Sequence, residues 1–454
     1  MTFHLIRNYA VQHGVDRVFA VNALARGWMI AFGPVVLAVI IYKLTSVEQG
    51  FYYTFLSLIG LSVFLDMGFT RAVQVFTSHE FASLNLPRGK PMNGSAEQRQ
   101  RMADFGKAVL LAHLALALIA GIVIGLVGEF MFRREANAAI AWHGPWWSLS
   151  FAAAASFIIV PMQTMLEAAG HVQHMAWVKL VRQVTSNVIL VLSLLSGQGL
   201  AASAISAWSG FVLVMLLIVV PYAPFWRQLL VGRMREGLVL LRELASYQIR
   251  IAVSWAAGYF IFSIMTPIAF ATLGAEDASR IGLTWQVMGI ISGIAFSIIQ
   301  AKTPTLGTLM GQGKAVEALD INRRATRGAL FVAAAGYLTI LLGLGVVREF
   351  PGLDWPELVT KGTSRMLPVL PIILLAIAEM SKLQMLGVFS FIRSLKVEPF
   401  TPMLVTLAVL VPSACWALAA NFGVEWLCIG YVIGQFIANP WANRIARPYL
   451  ANVA

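Results

Sequence analysis

The chain has 454 residues, 59% of them hydrophobic and only 12% charged, with a mean hydropathy of +0.76 and a formal net charge of +12. That charged share is about half the usual one for soluble domains, and the apolar residues fall in long continuous runs rather than the roughly ten-residue alternation of a barrel. Soluble enzymes and outer-membrane barrels are excluded, and an all-α, multi-pass membrane protein is predicted. In a soluble protein the basic balance would point to nucleic acid. Here the bases sit in short loops beside apolar runs, where membrane orientation accounts for them, and no nucleic-acid partner is expected.

Met1–Ala20 holds Arg7, Asp16 and Arg17 and no apolar core, so no signal peptide is expected and the first span acts as its own insertion signal. About 20 apolar residues cross a bilayer, and twelve spans are predicted: 21–42, 51–76, 108–128, 148–168, 178–196, 201–221, 247–271, 281–301, 328–347, 366–389, 400–420 and 424–442. The fifth and sixth are joined only by Gly-Gln-Gly-Leu, and the last two around Asn421 and Gly423, so each pair is a tight hairpin. Counting Lys and Arg in the segments joining the spans, with Lys179 and Arg250 at span ends included, gives twenty-two on the side of the N-tail and seven on the other. That excess places both termini in the cytoplasm.

The chain repeats itself. Pro34–Gly50 and the span ending near Phe76 correspond to Pro267–Gly282 and the span ending near Pro304, with Ile298 standing in the place of Asp66. A long polar loop follows in each half (77–107 and 302–327), then a larger tryptophan-bearing external loop (129–147 and 348–365). Two six-helix halves in the same orientation are parallel repeats. The expected division is 1–221, a cytoplasmic linker at 222–246 that forms an amphipathic surface helix, and 247–454.

Polar residues inside spans carry the functional signal, since a buried charge in a membrane costs a few kcal/mol unless it faces protein or water. The first span has Asn22 and Arg26 on one face. Arg26 either snorkels or faces a cavity between the halves, where a guanidinium binds phosphate bidentately. In the second, Ser62, Asp66, Thr70 and Gln74 recur every four residues and share a face. Asp66 either lines a water-filled cavity or bonds a neighbouring helix. Arg71 either contributes to the same site or snorkels to the surface. Gln163 and Glu167 in the fourth span are either a helix-packing pair, the favoured reading, or part of a site. The fifth places Lys179, Arg182, Gln183, Ser186 and Asn187 on one face, with Arg182 the strongest candidate. In the tenth, Glu379 and Lys382 are three apart. They are either a structural ion pair or a cavity pair that opens when a phosphate arrives.

Small pairs Gly121/Gly125, Gly289/Gly293 and Gly430/Gly434 allow close helix packing, and Pro34, Pro161, Pro267, Pro368 and Pro371 can bend helices. Phe51, Tyr52 and Tyr53 read as interfacial anchors. Catalytic motifs are missing. Gly307–Ala315 (GTLMGQGKA) imitates a phosphate loop, but Thr308 stands where its first glycine belongs and Ala315 where Ser or Thr is required. Cys415 and Cys428 have no ligand spacing. No cofactor, metal or enzymatic activity is expected.

The entry Glu48-Gln-Gly-Phe-Tyr-Tyr-Thr and the ending Leu65-Asp-Met-Gly-Phe-Thr-Arg of the second span resemble the polysaccharide-transporter branch of the MOP flippase superfamily, the Wzx-type O-antigen and exopolysaccharide exporters. The twelve spans, cytoplasmic termini and six-plus-six repeat agree with it over nearly the whole chain. The resemblance implies a flippase of the bacterial inner membrane. It would carry undecaprenyl-pyrophosphate-linked oligosaccharide to the outer leaflet by alternating access, with H+ or Na+ as a possible coupling ion and lipids as surroundings. Inward-facing bases hold the pyrophosphate in that family, a part that Arg26, Arg71, Arg182 and Lys382 fit by depth and face. Asp66 and Glu379 complete the candidate set. The main alternative is a MATE-type multidrug/cation antiporter, which needs membrane-embedded acids, and the first and seventh spans contain no Asp or Glu. A glycan ligase or polymerase would need a large external loop, and none is present.

Overall fold

The computed structural model describes residues 17–62, 69–135, 140–395 and 397–451, and side chains are not described at Phe19, 69–72, Glu135, 243–252, Ser254 or Trp255. Among the described residues the secondary structure is helical, apart from one isolated bridge between Asn85 and Asn93. Nine helices are long and apolar enough to cross a membrane, or ten when one bent pair is taken as a single span. The difference from twelve has local causes. The second expected span runs through residues 63–68, outside the described residues. The last lies in a helix diluted by Glu425, Gln435, Asn439 and Asn443.

The chain divides into two compact units. The first comprises residues up to Lys43 and Leu61–Ala252; the second comprises Leu44–Gly60 and Val253–Ala454. They are not two continuous halves of the sequence: 44–60 goes with the second, and 222–252 with the first.

The first unit contains α1 (Arg17–Lys43), α3 (Phe69–Glu80), α4 (Ala96–Phe132), α5 (His143–Ala168), α6 (Val172–Leu195), α7 (Ala201–Val219), α8 (Ala223–Leu230) and the start of α9 (Met234–Phe262). α4 begins at Ser95, whose hydroxyl accepts the Gln98 amide as an N-cap. Its 37 residues reach about 55 Å at 1.5 Å per residue. It therefore outruns the bilayer, and the expected polar loop 77–107 is helix from Ala96 onward. α4 packs on α5 by small-into-large fit. A Cβ at Gly125 would lie 2.2 Å from the Trp147 ring, and one at Gly128 would lie 2.2 Å from that of Trp146. Trp146 is fully buried and donates to the Gly125 carbonyl at 2.9 Å. This tryptophan, expected in an external loop, is core. α6 and α7 form the predicted hairpin, turned at Gly197 and Gly199, whose φ values of 82° and 52° suit glycine.

The segment 222–246 is not a free amphipathic helix. α8 buries Phe225, Trp226 and Leu229. The Arg233 amide donates to Asp104 at 2.6 Å, and Gly232 and Gly237 lie so close to the backbone of Ala103 and Asp104 that a Cβ would clash. α9 then continues without interruption towards the seventh span.

The second unit contains α2 (Ser46–Ile59), the end of α9, α10 (Met265–Leu273), α11 (Ala275–Gln300), α12 (Thr303–Gly311), α13 (Ala315–Glu349), α14 (Glu357–Ser364), α15 (Val369–Ser394), α16 (Thr401–Phe422) and α17 (Val424–Ala451). The expected seventh span is broken, with 256–262 and 265–273 meeting at 50°. Pro267 explains the break, because its ring rejects the carbonyl four residues before it. That carbonyl, on Ser263, accepts a short hydrogen bond from the Ser57 hydroxyl instead. Tyr259 donates to the Ser57 carbonyl at 2.7 Å.

α2 shows what the aromatic entry motif does. Thr45 and Glu48 form a capping box, with the Thr45 amide on Glu48 Oε2 at 2.8 Å and the Glu48 amide on Thr45 Oγ1 at 3.2 Å. A Cβ on Gly50 would sit 1.9 Å from the Ala275 carbonyl oxygen, and one on Gly282 would sit 2.4 Å from Tyr53. α2 and α11 therefore touch almost backbone to backbone. Phe51, Tyr52 and Tyr53 are 1%, 4% and 3% exposed. They are core residues and not interfacial anchors. Gly430 and Gly434 admit Cys415 and Val411 of α16 as expected, whereas a Cβ at Gly289 or Gly293 would meet nothing within 4 Å among the described residues. Pro368 caps the start of α15 and Pro371 lies in its first turn, so neither bends a span.

Candidate functional site

The six candidate residues fall into three groups. Asp66 lies outside the described residues, and Arg71 is on α3 with its side chain outside them. Arg26 and Arg182 belong to the first unit. Glu379 and Lys382 belong to the second.

α1 packs against α6 through an apolar seam of Val18, Val21 and Ala25 against Ala176, Leu180 and Val184. Arg26 follows that seam directly on α1 and is exposed. Arg182, within the seam's span on α6, is half-buried. Its stem passes Gly210 of α7, where a Cβ would meet Arg182 Cγ at 3.5 Å. The same face is fastened by Ser206, which donates to the Ser186 carbonyl at 2.7 Å. Lys179, one turn earlier, is engaged by Glu167 at 2.5 Å. The predicted Gln163–Glu167 pair is thus replaced by a Glu167–Lys179 ion pair. Neither Arg26 nor Arg182 has an acidic partner among the described residues. A planar, permanently charged guanidinium with open donors is suited to a phosphate or carboxylate.

The second unit is arranged differently. Glu379 on α15 is 3% exposed. Lys382 Nζ lies 2.5 Å from both of its carboxylate oxygens. Ser292 of α11 donates to Glu379 Oε2 at 2.5 Å, and Tyr431 of α17 donates to Oε1 at 2.9 Å. The Ser292 hydroxyl is 2.6 Å from that of Tyr337 on α13. The Lys382 ammonium stands 5.4 Å from the Phe262 ring centre, a cation–π contact. Every carboxylate oxygen and the ammonium is satisfied, as a buried pair requires.

The i,i+3 spacing on one helix made Glu379–Lys382 legible beforehand. Ser292, Tyr337, Tyr431 and Phe262 were missed. One signal was available: Tyr431, Gln435, Asn439 and Asn443 recur every four residues on α17, a polar stripe facing α15, where Asn439 donates to Ser381 and Gln384 at 3.1 and 3.2 Å. Gln435 within it is 1% exposed and has no hydrogen-bond partner for either side-chain polar atom among the described residues.

No protein-family model and no curated protein sequence matches the chain. Solved structures do. An inward-facing multidrug resistance MATE family transporter of the MOP superfamily superposes with a TM-score of 0.62 at 14% identity, covering 96% of this chain and 98% of that one. The lipid II flippase MurJ, in an inward closed conformation, gives 0.63 at 11% identity over 92% and 86%. A MOP superfamily transporter from Pyrococcus furiosus, described by the reverse polarity of its binding pocket, gives 0.58 at 14% over 96% and 97%. At such identities the likeness is one of fold. The chain is an all-helical integral membrane protein with the MATE/MOP fold.

Proposed function

We propose that this protein is a transporter that flips a lipid-linked oligosaccharide, carried on a polyprenyl pyrophosphate, from the cytoplasmic to the outer leaflet of the bacterial inner membrane. The observation that carries this reading is the distribution of embedded charge. The guanidinium of Arg182 is half-buried with no acidic partner among the described residues, while the one embedded acid of the second unit, Glu379, is already neutralised by Lys382. An anion finds open donors in the first unit, whereas a cation finds no open carboxylate in the Glu379 cluster. Charge-assisted hydrogen bonds from arginine to phosphate contribute about 1.5–3 kcal/mol each, enough to draw a pyrophosphate headgroup from water while its lipid tail stays in the bilayer. Alternating access of the MOP type then carries the head across, with H+ or Na+ as the coupling ion.

The second reading, a MATE-type multidrug antiporter, is favoured by the likeness to the MATE fold. Proteoliposomes holding a fluorescent polyprenyl-pyrophosphate oligosaccharide separate the two. The flippase reading expects translocation that falls about tenfold in Arg182→Ala, the equivalent of roughly 1.4 kcal/mol. Efflux of a cationic dye without movement of the lipid would sink it.

A further inference from the structure

We propose that the second unit carries a separate binding site for a phosphate group at the end of the bundle that the Lys/Arg count assigns to the cytoplasm. Its place is a cavity of about 290 Å³ between α13, α15 and α17. The polar lining comes from Asn322, Arg323, Thr326 and Arg327 on α13, Gln384 on α15 and Asn443 on α17, and no lining residue is acidic.

The cavity exists because α13 and α15 are held close beneath it. Asn322 donates to the Gly387 carbonyl at 3.0 Å, and a Cβ on Gly387 would lie 2.4 Å from Thr326 Oγ1. Arg323 and Arg327 are one turn apart, so both guanidiniums stand on the same face. Neither has an ion pair or hydrogen bond among the described residues. Their neighbour Arg324 differs, since it is paired with Asp320. Gln384 accepts from Asn439 through Oε1, which leaves its amide nitrogen to donate. Asn322 is 5% exposed, and its Oδ1 has no partner among the described residues. The cavity thus gathers two open guanidiniums, an open amide donor and an orphaned buried acceptor.

Donors in that number without a carboxylate select an anion, and paired guanidiniums select the forked oxygens of a phosphate. The orphaned Asn322 oxygen suits a hydroxyl carried by the same ligand. The remaining lining, Leu319, Leu330, Val388 and Phe391, is apolar and accepts the first carbons of an acyl glycerol. The volume lies just under the roughly 300–1,000 Å³ of ligand pockets, so it holds a headgroup and not a whole lipid. The shared chemistry is a phosphate ester, which a lipid headgroup and a free phosphate both supply. The site uses none of the residues assigned to transport above.

Native mass spectrometry of the purified full-length protein, titrated with phosphatidylglycerol or the phosphate-free diacylglycerol of matched chains, tests it. Wild type and Arg324→Gln should each retain one phosphatidylglycerol, at least about tenfold more tightly than the double variant Arg323→Gln/Arg327→Gln, given two lost charge-assisted bonds. Val388→Trp fills the cavity while keeping both charges, and it should lose the lipid as well. Millimolar inorganic pyrophosphate is the second arm. Displacement of the lipid identifies the phosphate itself as the determinant, and a lack of displacement assigns the site to lipid headgroups. Equal retention by wild type and the double variant, or equal binding of the two lipids, overturns the proposal. All the exchanged arginines are exposed, so an unchanged melting temperature is expected in the variants that lose the lipid.

Discussion

The α1–α6 pair of the first unit and the Glu379 cluster of the second both place charge within the expected spans, and they treat it differently. In the first, Arg26 and Arg182 flank an apolar seam, and the acid on the neighbouring helix, Glu167, is taken by Lys179. In the second, Glu379 is closed off by an ammonium and two hydroxyls drawn from three helices. A satisfied buried pair orders the helices that contribute to it and offers nothing to a ligand until it is broken. An unpartnered guanidinium keeps its binding capacity and contributes little to stability. The first arrangement is suited to a substrate, the second to holding or switching α11, α13, α15 and α17 as a group.

That contrast breaks most sharply at Glu379. Glu379→Ala should destabilise the protein by about 3 kcal/mol, because the Lys382 ammonium, its side chain 16% exposed, is left largely desolvated and uncompensated. The double variant Glu379→Leu/Lys382→Met should recover most of the loss, as thermal unfolding in detergent will show. A fully functional double variant would assign the cluster to structure alone. Tyr431→Phe removes one hydroxyl from the carboxylate and should cost about 1.5–3 kcal/mol by the same measurement. In the first unit the order reverses. Arg182→Gln should leave the unfolding temperature nearly unchanged while lipid flipping falls about tenfold, roughly 1.4 kcal/mol. If Arg182→Gln unfolds the protein instead, the guanidinium is a packing element and the contrast collapses. The smallest effect belongs to Lys179→Gln. Its side chain is 52% exposed, and such pairs contribute about 0–1 kcal/mol, so flipping and melting should both stay near wild type.

How far the site was legible depends on how local each contact is. Glu379 and Lys382 share one helix three residues apart, so their pairing could be read directly. Ser292 and Tyr431 reach the same carboxylate from 87 and 52 residues away, and no periodicity on α15 announces them. The polar stripe on α17 was visible as a four-residue spacing, but spacing does not say which neighbour it faces. The bend of the seventh span was implied by Pro267, because the steric conflict is local to five residues. Its consequence, a freed Ser263 carbonyl taken up by Ser57, required α2 to be in place. Gly289/Gly293 and Gly430/Gly434 have the same spacing, yet among the described residues only the second pair meets another helix.

The amino-acid sequence determined what depends on neighbours along the chain: apolar runs long enough to be spans, hairpins turned at Gly197, Gly199 and Gly423, the Thr45–Glu48 cap and the Glu379–Lys382 pair. Tertiary structure alone decided what depends on which surfaces meet. Phe51, Tyr52 and Tyr53 are amphipathic enough for a membrane interface or a core. They are core because Gly50 and Gly282 bring α2 and α11 together and leave the rings no access to lipid or water. Likewise a lone arginine in a span reads the same whether it is paired or free. Only the packing of α5, α6 and α7 shows that Glu167 takes Lys179 and leaves Arg182 open.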